Sequence, residues 1–405
     1  MSDRQITDSV VIHASPQIVY NALTTSTQIN QWLCNHADVH YRAAEGSGFY
    51  LGWNDEYQVI GKFITLEPGK RVAMTWCGAG EPETRVEFTL TPEDGGTRVT
   101  MAHTGYGEND AKLLEDHRLG WQGMLECLKY FVETGLDLRL MRRPMLGIFL
   151  GPLTPERREA LGVPVDYGIV IDGTMEGLGA RKAGIQGNDV ITEINGHRIT
   201  GINEVSTAIR GKVGGDVVSV TFYRHADAHT VSMELGKRPA PDVPPTAAEL
   251  AARQLEGYDR QMGQIKALVK DLPESALNTA PAENEWSVNE NLAHLIWSER
   301  CAQIDIWNAH GGGFGYDWPN NGPLHLVGVL AACPTSADLI AELQRSFTAT
   351  IAILKSLTPE DADVKTTYAR IGQICIGQID HTNEHIDQIT RTIEQVQANA
   401  APIAK

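Results

Sequence analysis

The chain has 405 residues, too many for one ordinary hydrophobic core, so two to four domains are expected. Hydrophobic residues at 42% and charged residues at 21% give an ordinary globular balance and argue against wholesale disorder. A formal charge of −17 argues against sequence-independent nucleic-acid binding and against docking on anionic membranes, since both need a basic surface. The opening Met1-Ser2-Asp3-Arg4-Gln5 lacks the apolar core of a signal peptide, and no apolar run is long enough to cross a bilayer. Cys34, Cys77, Cys127, Cys301, Cys333 and Cys375 are scattered without CxxC spacing. They read as reduced thiols in a cytoplasmic protein.

From about Ile6 to Leu136 the pattern predicts strands closed by one helix. Asp8-Ser9-Val10-Val11-Ile12 is strand-like, and Ser15-Pro16 opens a short helix with proline in its first turn. Residues 57–64, 71–76 and 84–90 alternate apolar and polar, and Glu93-Asp94-Gly95-Gly96 turns the last of these into Thr97-Arg98-Val99-Thr100-Met101 as a hairpin. The period then becomes helical, with Trp121, Leu125, Leu128, Phe131 and Val132 on one face and Gly135 as the stop. Val10-Val11-Ile12-His13-Ala14-Ser15-Pro16, Gln31-Trp32-Leu33 and Leu119-Gly120-Trp121 make the segment resemble the START-like helix-grip (SRPBCC) superfamily, in the branch named for the activator of a heat-shock chaperone ATPase. The resemblance implies a curved sheet around a long helix, often enclosing an apolar cavity. Trp53, Trp76, Trp121 and Leu125 would border that cavity, although aromatics of this kind more often only fill a core.

Leu146 to about Leu235 reads as a small mixed domain. Leu146-Gly147-Ile148-Phe149-Leu150 is a glycine turn entering a strand, Gly168-Ile169-Val170-Ile171 a second strand, and residues 183–196 a turn and strand containing Asn188-Asp189. A helix around Asn203 to Ile209 and a final strand over 217–224 complete it. The order resembles a PDZ domain of the HtrA-protease type. The family usually has glycine where Asn188 stands, and asparagine tolerates the left-handed backbone required. The resemblance implies that the Leu146-Gly147-Ile148-Phe149 loop captures a peptide's C-terminal carboxylate, with its last side chain among Leu146, Ile148, Val205 and Ile209.

Pro239-Ala240-Pro241-Asp242-Val243-Pro244-Pro245 reads as an extended linker. Beyond it, helices are expected at about 246–271, 286–309, 336–356 and 370–397, a four-helix bundle. Thr246 with Glu249, Ser287 with Glu290 and Thr335 with Asp338 have the spacing of capping boxes. The glycine-rich stretch from Gly311 to Pro319 is the kind of loop that often covers a site.

His381 and His385 stand four apart on the last helix, so two imidazoles can reach one point; His294 from the second helix would be the third. Three imidazoles with open positions left over suit a divalent metal, zinc or nickel above all. The other ten histidines, His13, His225 and His310 among them, lack spacing partners and read as surface or incidental. Trp286-Ser287-Val288, Leu292-Ala293-His294-Leu295 and the run from Asp380 to Ile389 resemble the DinB-like superfamily. That resemblance implies metal binding by these three histidines and, in characterised members, transferase or isomerase chemistry with low-molecular-weight thiols.

The expected fold is thus multidomain α+β: a helix-grip α/β domain over 1–140, a small PDZ sandwich or barrel with helices over 144–238, the linker over 239–245 and an all-α bundle over 246–398. The expected function is a metal-dependent transferase with a peptide-binding module, an apolar-ligand or partner domain and a homodimeric option. The alternative is a non-enzymatic scaffold or chaperone-linked protein whose histidines are structural or sensory.

Overall fold

The computed structural model describes residues 4–39, 43–54, 56–312 and 324–400. They fall into two compact units, one formed by residues 1–136 with 242–405 and the other by 137–241.

The first unit opens with β1 (Ile6–Ile12), α1 (Pro16–Thr24) and α2 (Ser26–Ile29). Six strands follow: β2 (His36–Val39), β3 (Gly48–Trp53), β4 (Tyr57–Glu67), β5 (Arg71–Gly78), β6 (Thr84–Glu93) and β7 (Gly96–Thr104). They form one antiparallel sheet in the order β1-β7-β6-β5-β4-β3-β2. The expected hairpin is present: Glu93 pairs with Gly96 across Asp94-Gly95, with Gly95 at φ 78°. The predicted closing helix is two helices, α3 (Ala111–Trp121) and α4 (Met124–Thr134). Gly123, at φ 78°, breaks them apart, so the Leu119-Gly120-Trp121 motif lies in the helix before the apolar one. Leu125, Leu128, Phe131 and Val132 of α4 are buried, as are Val59, Phe63, Phe88 and Met101 of the sheet, and α4 packs against β1.

Gly135 ends α4 at φ 74°, as expected of a left-handed C-cap, and a Cβ there would fall on the Lys365 carbonyl. That close approach brings α4 against the last helix of the bundle within the same unit.

The second unit carries α5 (Leu138–Met141), β8 (Ile148–Pro152), α6 (Pro155–Leu161), β9 (Ile169–Thr174), α7 (Gly179–Lys182), β10 (Val190–Ile194), β11 (His197–Arg198), α8 (Ile202–Ala208), β12 (Val217–Arg224) and β13 (Asp227–Glu234). The sheet runs β13-β12-β10-β9-β8, with β11 on β10. The strand expected to be last is followed by one more, since His225-Ala226 turns β12 into β13, with His225 at φ 54°, and the two pair along their whole length. Asn188 does take a left-handed backbone, at φ 74°.

The bundle comprises α9 (Ala247–Val269), α10 (Glu274–Leu277), α11 (Val288–His310), α12 (Leu324–Ala332), α13 (Ser336–Ser356), α14 (Pro359–Asp363) and α15 (Lys365–Ala400). All three expected capping boxes form, each hydroxyl accepting from the N3 amide while the N3 carboxylate accepts from the cap. Helices α11 and α9 each pack between α13 and α15, closing a four-membered ring. The linker is not a free spacer: Val243 packs with Leu250, Tyr368 and Ile371, and Tyr368 Oη donates to the Pro244 carbonyl. Helix α12 was not anticipated from the pattern. Of the glycine-rich connection, residues 313–323 lie outside the described residues.

Candidate metal centre

Helix α11 and helix α15 present three polar side chains each to one another. Asn291, His294 and Ser298 face His385, His381 and Gln378, pair by pair, as antiparallel helices require. The Ser287 capping box sets the start of α11, so its second turn delivers His294 to the interior, 2% exposed. Nitrogen atoms of His294, His381 and His385 all lie within 4.8 Å of one another.

The hydrogen bonds decide which ring nitrogen faces inward. His385 Nδ1 lies 2.8 Å from Asn291 Oδ1, an atom that only accepts, so Nδ1 carries the proton. Ser298 Oγ lies 3.3 Å from His381 Nδ1 and 3.3 Å from both Oε1 and Nε2 of Gln378, so it can take the His381 Nδ1 proton while passing its own to Gln378 Oε1. His385 therefore turns an Nε2 lone pair to the centre, and His381 does the same when its Nδ1 proton rests on Ser298. His294 Nε2 lies 3.2 Å from His381 Nε2, and its Nδ1 lies 3.1 Å from His325 Nε2 on α12. With metal on Nε2, the His294 proton sits on Nδ1 and points at His325. The donor set fits a borderline divalent ion: bonds of about 2.0–2.1 Å to tetrahedral zinc put two nitrogens about 3.3 Å apart.

Burial keeps the rings neutral. It pushes His294 down to about 3, helped by the nearby His385, His381 and His325, and pushes His385 down to about 4, helped by His381. His381 is also lowered by burial, against an opposing pull from Glu384. Neutral imidazole is the form that binds metal. Trp286 stacks on His385 at 14° and lies 4.9 Å from His294, while Trp297 packs 4.6 Å from His325. These indoles form an apolar wall around the donors.

His325 corrects the reading of the remaining histidines as incidental. It stands far from the other three in sequence, on a helix the pattern did not reveal, so no spacing signal could have found it. Two more corrections lie in the helix-grip fold, where His103 and His117 are buried. His103 Nε2 bonds Thr84 Oγ1 at 2.8 Å and its Nδ1 accepts from Trp121 Nε1 at 3.0 Å. His117 bridges the Tyr106 hydroxyl at 2.9 Å and the Glu81 carboxylate at 3.2 Å. His13 and His310, by contrast, pair at the surface with Glu133 and Asp361.

The aromatic interior of the helix-grip domain leaves a void of about 10 Å³, lined by Trp76 and Trp121 among others, with room for about one water. Trp53 packs 5.9 Å from Trp76 and donates to the Leu33 carbonyl, and Leu125 is buried in the core; neither lines the void. In the PDZ fold, Leu146 and Val205 share one core cluster with Ile148 and Ile209 packed against it. Gly147 takes φ 76° where a Cβ would strike Leu178, and Phe149 is exposed on β8, which stands at the edge of its sheet.

Fold and site together define a modular chain with a helix-grip domain, a PDZ domain and a DinB-like bundle. Family models agree in that order: the activator of Hsp90 ATPase homolog 1-like protein over residues 13–133, the PDZ domain over 144–235 and the DinB superfamily over 258–389. Similar curated proteins include the serine protease Do-like HtrA of Lactococcus lactis, 32% identical over 100 residues, covering 24% of each chain. The periplasmic serine endoprotease DegP of Salmonella typhimurium is 30% identical over 148 residues, covering 35% of this chain and 30% of its own. The chain thus spans less than a third of the length of the curated relatives it matches. A solved structure, the Aha1 dimer from Colwellia psychrerythraea, is 27% identical, covers 33% of this chain and 96% of its own, and gives a TM-score of 0.28.

Proposed function

We propose that the bundle holds one divalent metal, zinc or nickel, on His294, His381 and His385, and acts as a metal-dependent transferase on a low-molecular-weight thiol. The observation that carries the reading is the pairing of Asn291 and Ser298 with the two α15 imidazoles, which leaves Nε2 lone pairs converging beside His294. A metal bound there supplies a Lewis acid and lowers the pKa of a coordinated thiol or water. The chain's own residues supply the rest. Asn291, Ser298 and His325 orient the rings, and Trp286 and Trp297 exclude water from them.

In this reading the PDZ domain captures the C-terminus of a partner protein at Leu146-Gly147-Ile148-Phe149, and the edge position of β8 supports it. The helix-grip domain docks a partner or a small apolar molecule. The compartment in this reading is cytoplasmic, on the ground that the six cysteines are scattered without CxxC spacing.

The experiment is metal analysis of the purified full chain and of His385→Ala, followed by visible spectra of the cobalt-loaded protein with and without a small thiol. One metal per chain, lost in the variant, and a sulfur-to-cobalt band on thiol addition are expected. Full metal content in the variant defeats the site; an intact site without the thiol band defeats the transferase reading alone.

A further inference from the structure

The PDZ fold has an open recess beyond the peptide-carboxylate loop. Its volume is about 650 Å³, and its lining includes Pro152, Leu153, Asp166, Tyr167, Ile202 and Glu204. Three observations say what it takes.

The first is position. The carboxylate loop precedes β8, so a peptide anchored there and added to the strand edge runs antiparallel to β8, toward Pro152. Five residues of β8 span about 17 Å at about 3.4 Å each, so the recess meets the peptide four or five residues before its terminus.

The second is the end of the ladder. Pro152 has no N–H, so it cannot donate to an added strand, and recognition beyond it falls to side chains.

The third is charge. Asp166 and Glu204 both line the recess, no lysine, arginine or histidine does, and among the described residues neither carboxylate forms an ion pair. The cations beside its wall are engaged elsewhere: Arg198 lies over the Tyr167 ring at 3.6 Å, and Arg157 pairs with Asp172 at 2.6 Å while reaching the Pro152 carbonyl. The exposed Ile202 and the Tyr167 ring offer apolar cover for an aliphatic stem.

We propose that this recess selects a lysine or arginine four or five residues upstream of the peptide's free carboxylate, an inference that rests on the peptide-capture reading above. The two carboxylates take the charged head, and Tyr167 and Ile202 take the stem.

The test uses the full chain and fluorescence polarisation with labelled octapeptides ending in valine. They carry Lys-Lys, Ala-Ala or Glu-Glu at the fourth and fifth positions before the last residue, each with a free or an amidated end. Among free-carboxylate peptides the lysine series is expected to bind about tenfold tighter than the glutamate series, with alanine between. High salt should compress the difference, as screening demands. The double variant Asp166→Asn/Glu204→Gln should abolish it while leaving the alanine peptide's affinity unchanged. Equal binding of all three free-carboxylate peptides overturns the recess and leaves peptide capture standing. Equal binding of amidated peptides, or no binding of any, overturns peptide capture and the recess with it.

Discussion

Asn291 and His385 face each other across the α11–α15 contact with Oδ1 and Nδ1 2.8 Å apart, and that single bond fixes which nitrogen of His385 looks inward. Second-shell bonds of this kind commonly contribute about 10- to 100-fold to metal affinity. Asn291→Leu is therefore expected to weaken zinc binding by about that factor while leaving the metal-to-chain ratio at saturation unchanged. His325→Ala should do the same through His294, and His325→Gln should recover part of the loss, because an amide oxygen accepts the Nδ1 proton as the imidazole does. Competition against a chromophoric chelator reads both. Wild-type affinity in Asn291→Leu would refute the ring-orienting role.

Acid should destabilise the metal-free protein well above the pH at which its carboxylates titrate. The free imidazole titrates near about 6.5. In the folded chain burial lowers His294 and His103 to about 3 and His385 to about 4, and it also lowers His381 and His117. The unfolded chain therefore binds these protons first, so stability is full above about pH 6.5 and falls from there down toward pH 3 to 4. Urea midpoints measured in a chelator at pH 7.5, 6 and 5 should fall in that order. A flat profile would mean the histidines are not buried neutral.

Gly135→Ala is expected to destabilise the first unit by about 2 kcal/mol or more. The residue sits at φ 74°, which an alanine tolerates poorly, and the new Cβ would meet the Lys365 carbonyl. Thermal unfolding would report it. Gly80→Ala, also at positive φ but with open space around it, should cost less and separates the two contributions.

Arg224→Ala should unfold the PDZ domain selectively. Asp189 is 1% exposed, accepts from Arg224 Nε and Nη2 at 2.8 Å and caps the Gln186 amide at 2.8 Å. Removing the guanidinium leaves a buried carboxylate without its counter-charge, at a cost of about 3 kcal/mol. Limited proteolysis should cut within 137–241 first. Unchanged protease resistance there would show that the pair contributes little.

Much of this molecule is written in local pattern. The capping spacings at Thr246, Ser287 and Thr335 mark helix starts, because their hydrogen bonds close within four residues. The Asp94-Gly95 turn and the left-handed Asn188 are legible for the same reason. The His381 and His385 pair follows from helical periodicity alone, and His294 from its place in a capped, apolar helix. Tertiary structure decided what periodicity cannot carry. Nothing local predicts that Asn291 and Ser298 would meet His385 and His381, or that His325 would reach His294, because those partners lie 31 to 94 residues apart. The same holds for His103 and His117, whose burial depends on strands and helices brought together by the sheet, and for the helix-grip void, whose size is set by how Trp76 and Trp121 pack. A sequence names the donors when one element carries them; only the fold chooses which lone pairs face one another.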